Sequence, residues 1–136
     1  MRRRTARRQA FFLLYESDVN DRSMDEAFSR WRSYRGDLSP YAIRIARGVE
    51  NEREELDRIL SEVSVGWPVH RMSVVDRAIL RLALFEMLHV EDAPPEVAIT
   101  EAIELAKGFS SDEAPVFVRG VLRGAETMLS EKVEHG

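Results

Sequence analysis

Arg2, Arg3, Arg4, Arg7 and Arg8 place five guanidinium groups in the first eight residues of a chain whose net charge is −4. Without those five, 15 basic residues face 24 acidic ones, so a tip of +5 sits on a body of −9. Such asymmetry marks a polyanion-binding arm on an otherwise acidic domain. The arm runs straight into Ala10-Phe11-Phe12-Leu13-Leu14-Tyr15, which predicts that it is helical and anchored. On a helical wheel of about 100° per residue, Arg4, Arg8, Phe11 and Tyr15 share a side, with Arg7 beside them. Ala6, Ala10, Leu13, Leu14 and Ser17 gather opposite, small and apolar enough to pack on a core. Arginines interleaved with aromatic rings suit single-stranded RNA, where guanidiniums pair phosphates and rings stack on unpaired bases. The competing reading makes Phe11 and Tyr15 core residues and leaves the arginines as a solubilising surface.

Other chemistry finds little support. The chain has no cysteine, which removes disulfides, thiolate nucleophiles and cysteine-rich zinc sites. His70, His89 and His135 are scattered, and His89-Val90-Glu91-Asp92 reads as a helix end running into an acidic loop rather than a metal site. Glu101 and Glu104 share a helical face that solvation explains better than acid–base catalysis. No phosphate-cradling glycine loop and no nucleophile motif is present, so neither an enzyme nor a bound cofactor or metal is expected. Glu86 is the exception: it lies on the apolar face of Val75, Ile79, Leu82 and Val90. Burial there requires donors, from a neighbouring backbone or an arginine.

The elements that position these residues are helical. At 136 residues one domain is expected, able to remove about two-thirds of its surface from water on folding. Sparse glycine and the absence of β-branched alternation predict an all-α fold, a compact bundle of about six or seven helices. The first spans roughly residues 4–20. A second covers 24–34, with Ser23 as cap and Glu26 completing a capping box. Ser39-Pro40 opens a long stretch to Val63, bent near residues 48–51, and Gly66-Trp67-Pro68 ends it. Ser73 and Asp76 cap a helix over 74–90 that is apolar on nearly every side and therefore central. Within it, Leu84, Phe85 and Leu88 are read as part of an apolar surface that a partner could cover. Pro94-Pro95 opens a helix to about Lys107, with Gly108 as its stop, and a last helix covers 114–132. No stretch after the arginines has signal-peptide or membrane length, and Glu16 and Asp18 come too early for a transit peptide; a cytoplasmic protein is expected.

Four strings in this order resemble the NusB family of transcription antitermination factors. They are Arg2-Arg3-Arg4-Thr5-Ala6-Arg7 leading to Leu14-Tyr15, the segment Arg71 to Ala83, the segment Pro95 to Lys107, and Phe117-Val118-Arg119-Gly120-Val121-Leu122. The resemblance covers nearly the whole chain and is weakest over 21–38. It implies an all-helical protein of two small sub-bundles, here about 1–63 and 64–136. It further implies pairing with the ribosomal protein NusE, a grip on single-stranded boxA-type RNA, and entry into the RNA polymerase antitermination complex during rRNA transcription. The RNA-contacting residues it implies are Arg2, Arg3, Arg4, Arg7, Arg8 and Tyr15, with Glu113 and Phe117 where RNA and NusE meet. Asp76, Glu113 and Phe117 are the implied partner contacts.

Departures from the family pattern fall at Arg119 and Arg123, where asparagine and aspartate are usual, and at Thr100. The two arginines share one helical face, reaching phosphate or, preferably, balancing acids near Glu113 and Glu126. Five phosphate contacts would give a log–log salt slope of about −3.5 on single-stranded RNA. Two alternatives stay open: an adaptor or homodimer whose arginines bind an acidic protein, and an accessory domain of an RNA-modifying enzyme, for which 136 residues leave no cofactor domain.

Overall fold

The computed structural model describes residues 2–135, without the side chains of 133–135, so the side chain of His135 lies outside the described residues. Seven α-helices form the described part: α1 (Arg3–Asn20), α2 (Met24–Tyr34), α3 (Pro40–Asn51), α4 (Arg53–Val63), α5 (Val74–His89), α6 (Pro95–Phe109) and α7 (Ala114–His135). A 3-10 turn, Val69–Arg71, joins α4 to α5. Three starts are set by serine caps, which satisfy otherwise orphaned backbone donors at about 1 kcal/mol each. Ser23 Oγ accepts from the Glu26 amide at 3.2 Å, Ser39 Oγ from Tyr41 at 3.2 Å, and Ser73 Oγ from Asp76 at 3.0 Å. Pro40 and Pro95 occupy first-turn positions, where the missing N–H costs nothing.

The expected bend near 48–51 is a break at Glu52, which separates α3 from α4. Gly48 faces the Phe85 ring so closely that a Cβ there would overlap it. That glycine lets α3 lie down on α5. Helix α5 is the axis of the bundle and packs against α1, α3, α4, α6 and α7. Every residue from Ala78 to Glu86 is buried, as its all-round apolarity requires, and one hydrophobic cluster runs through the helices. The partner-covered surface expected from Leu84, Phe85 and Leu88 is not there. Leu84 and Phe85 are buried and Leu88 packs half-buried against the core, because α5 has neighbours on every side.

Gly108 does not stop α6, which continues to Phe109 and caps at an extended Ser110. The reason is tertiary: one more helical residue brings the Phe109 ring to 5.2 Å from Phe11 and 5.1 Å from Phe12. Aromatic burial on this scale outweighs the roughly 1 kcal/mol helix penalty of a glycine.

Candidate nucleic-acid interface

Helix α1 begins without a cap: Arg2, at its N-cap, makes no side-chain capping bond, and no acidic residue lies in the first turn. Unpaired amides and the positive end of the helix dipole therefore coincide with Arg2, Arg3 and Arg4. Cations are disfavoured at this end and anions favoured. The fold answers with carboxylates from α5, α6 and the loop between them. Arg3 grips Asp92 at 2.9 and 3.1 Å while its guanidinium lies 4.4 Å from the centre of the Tyr41 ring. Arg4 makes a forked pair with Glu101 at 3.0–3.2 Å. The bond from Arg3 holds the Asp92 carboxyl below the usual carboxylate range.

Arg7 is a different case and corrects the wheel. It is 5% exposed, and its Nε donates to both oxygens of Glu86 at 2.8 and 2.9 Å. Tyr41 Oη donates to Glu86 Oε2 at 2.6 Å. Glu86, 1% exposed, thus has the arginine donor that its burial demanded. Burial pulls the Arg7 pKa down, but the bonds and charge of Glu86 prevail and hold it above its ordinary value. Burial, then the bond to Glu86, pushes the Tyr41 hydroxyl up to about 12. Arg7 is therefore fixed inside the protein and does not reach outward. Phe11 is likewise in the core at 2% exposure. A wheel drawn for one buried side could not anticipate that α2, α3, α5 and Phe109 together enclose most of α1.

What stays outside is Arg2, Arg4, Arg8 and Tyr15, with Arg3 half-exposed. Tyr15 is 39% exposed and stands 6.5 Å from Phe11. Phe109, 37% exposed, has the Arg8 guanidinium 5.6 Å from its ring centre. Arg35 extends the pattern over Trp31, at 4.9 Å. The result is an exposed aromatic–guanidinium surface along α1 and the end of α6. Phe109 was not singled out from the sequence, although Ala102, Leu105 and Phe109 continue one helical stripe; the apparent stop at Gly108 masked it.

Glu101 also departs from the solvated face expected of it, since Arg4 covers it and its side chain is only 14% exposed. Glu104 does point to solvent, with Lys107 at 3.5 Å. Arg4, Arg7, Arg8, Glu101, Glu104, Leu105, Gly108 and Phe109 line a cleft of about 400 Å³ between α1 and α6.

The second nominated region adjoins the first through the α6–α7 connection. Ser110 Oγ, next to Phe109, donates to Asp76 Oδ1 at 2.6 Å. Asp76 thereby ties the start of α5 to the loop that carries Glu113. Glu113 is exposed, and Phe117 packs half-buried against the core one turn later. Arg123 pairs with Glu96 at 2.6 and 3.0 Å and with Glu126 at 3.1 Å, so it balances acids. Arg119 is exposed and makes no ion pair among the described residues. Glu52, Glu55 and His89 could offer three ligand atoms within 4.8 Å of one another, but two of the three are exposed. No described helix is long and apolar enough to cross a membrane.

Known proteins share this fold. The NusB family model matches residues 4–127. The transcription antitermination protein NusB of Rubrobacter xylanophilus is 65% identical over 136 residues, covering 100% of this chain and 98% of that one. The NusB structure of T. maritima superposes with a TM-score of 0.82 at 32% identity, over 93% of this chain and 92% of that chain. A crystal structure of antitermination factors NusB and NusE with double-stranded RNA matches with a TM-score of 0.83 at 25% identity, over 93% and 96% of the two chains. A fold organised around α5, an uncapped arginine-bearing α1 and a match over nearly the full length agree, and the chain belongs to the NusB family.

Proposed function

We propose that this protein is a transcription antitermination factor that binds single-stranded, boxA-type RNA together with NusE and carries it into the RNA polymerase antitermination complex on rRNA operons. The observation that supports this reading most is the uncapped, arginine-bearing start of α1, followed along the same surface by Arg8 against Phe109 and by the exposed Tyr15. Arg2, Arg3, Arg4 and Arg8 contact phosphates, and Tyr15 stacks on a base. Arg7 acts from inside by holding the arm on α5. Glu113 and Phe117 form the border with RNA and NusE, and Asp76 sets the loop that presents them. The protein works in the cytoplasm, catalyses no reaction, and comprises two sub-bundles, about 1–63 and 64–136, that share α5 as their seam. The related NusB–NusE structure holds duplex RNA. Exposed rings favour unpaired bases, which only single strands present.

The test is fluorescence anisotropy with a boxA-like single strand, a scrambled strand and a duplex, each with and without NusE. The boxA strand is expected to bind best and to tighten with NusE. With Arg7 withdrawn, four contacts set a salt slope no steeper than about −2.8, roughly a fiftyfold loss between about 50 and 200 mM salt. Equal weak binding to all three RNAs, unchanged by NusE, would favour an adaptor whose arginines hold an acidic protein.

A further inference from the structure

The cleft between α1 and α6 carries phosphate-binding arginines only at its rim, and its inner lining argues against an anion inside it. Glu101 and Glu104 stand in its wall, Leu105 and Phe109 supply an apolar floor, and Arg4 and Arg8 form a cationic rim. The Phe109 ring rests on Phe11 and Phe12 from within, and the exposed Arg8 guanidinium lies 5.6 Å from its centre. An aromatic floor, a guanidinium cover and an acceptor wall are the parts of a pocket for one unpaired base.

Glu101 decides which base. Among the described residues its three hydrogen bonds all come from Arg4, whose own side chain is 69% exposed and can swing outward. Once Arg4 turns to a phosphate, Glu101 is uncovered in the wall of the cleft, a carboxylate open to donors from a ligand. The Watson–Crick edge of guanine presents adjacent N1–H and N2–H donors that match two carboxylate oxygens. Uracil offers a single N–H between two carbonyls, which the carboxylate repels. We infer that this cleft is a nucleobase subsite for one unpaired guanine, stacked on Phe109 and donating to Glu101 as Arg4 leaves for phosphate. The subsite rests on the RNA-binding reading above.

The experiment uses the full chain with NusE and labelled oligouridine strands of one length. One residue at a time is replaced by guanine, adenine or cytosine. One guanine register should bind best, and Phe109→Leu, which keeps an apolar side chain on Phe11, should weaken that RNA roughly five- to hundredfold. Phe109→Tyr should restore it. Glu101→Gln, which keeps the shape of the side chain, should abolish the guanine-over-uracil ratio and tests the subsite even where the Phe109 variant unfolds. Equal binding of all four bases by the wild type, or a guanine preference unmoved by Glu101→Gln, would overturn the subsite and leave the arm in place. Absence of any RNA binding by the wild type would overturn the functional reading and the subsite together.

Discussion

The two ends of helix α1 are fastened to α5 by ion pairs of opposite polarity. At the first end a cation of α1, Arg7, meets an anion of α5, Glu86, in a buried site. At the other an anion of α1, Asp18, meets cations of α5: Arg77 at 2.7 and 3.0 Å and Arg81 at 3.6 Å. Arg81 goes on to grip Asp57 of α4 at 2.8 and 2.9 Å. Reversing α1, or sliding it far along α5, would face like charges or strand a buried one. Apolar contacts between Ala10, Leu13, Leu14 and the core bury surface but tolerate such slips. The polar ends therefore supply direction and register, and the apolar middle supplies most of the adhesion.

The ends differ in burial, and that difference sets the size of the expected effects. Arg7→Met should cost the most, about 3–5 kcal/mol in urea unfolding, because it leaves Glu86 charged and buried. Combining it with Glu86→Leu should recover most of the loss, and failure to recover would show that the pair does more than cancel its own burial. At the other end, Asp18→Asn should cost about 2 kcal/mol at neutral pH. Burial alone would raise the Asp18 pKa, but Arg77, Arg81 and Arg53 bring it below its ordinary value. Its contribution is thus complete above the ordinary carboxylate pKa and disappears as pH falls through the lower folded value. Wild type and Asp18→Asn should converge in stability in strong acid.

A smaller effect belongs to Tyr41, which caps the buried end. Its pKa is raised to about 12, so its stabilisation is complete below the ordinary tyrosine value of 10.0 and is lost on the way to 12. Tyr41→Phe should flatten that part of the alkaline stability curve relative to wild type. Smallest in stability is Asp92→Asn, since an exposed pair is screened by solvent and contributes little. Its signature should instead be a several-fold gain in RNA affinity as Arg3 is released; unchanged affinity would mean that Arg3 makes no phosphate contact.

Much of this was readable from the residues, and for definite reasons. Ser23, Ser39 and Ser73 announce helix starts because a hydroxyl is the local solution to orphaned amides. The all-round apolarity of 74–90 announces a central helix, and Glu86 within it announces a buried partner. Three features were not readable, and all depend on neighbours distant in sequence. Arg7 turns inward because Glu86 awaits it 79 residues away. Glu101 is covered because Arg4 crosses to it from α1. Phe109 extends α6 past a glycine because Phe11 and Phe12 receive its ring. Periodicity reports which side of a helix is apolar, but not how many neighbours surround it.

The internal pairing of Arg3 and Arg4 has a consequence for counting contacts. RNA binding is usually gauged by the salt ions it sets free, one portion for each phosphate neutralised. An arginine that exchanges Asp92 or Glu101 for a phosphate trades one fixed anion for another, and the carboxylate it leaves gathers cations from solution. This arm therefore behaves as an ion exchanger built into the protein. With Arg2 and Arg8 alone releasing counterions in the ordinary way, the slope would lie near −1.4 even with four phosphates held, and a salt titration would count only half of them.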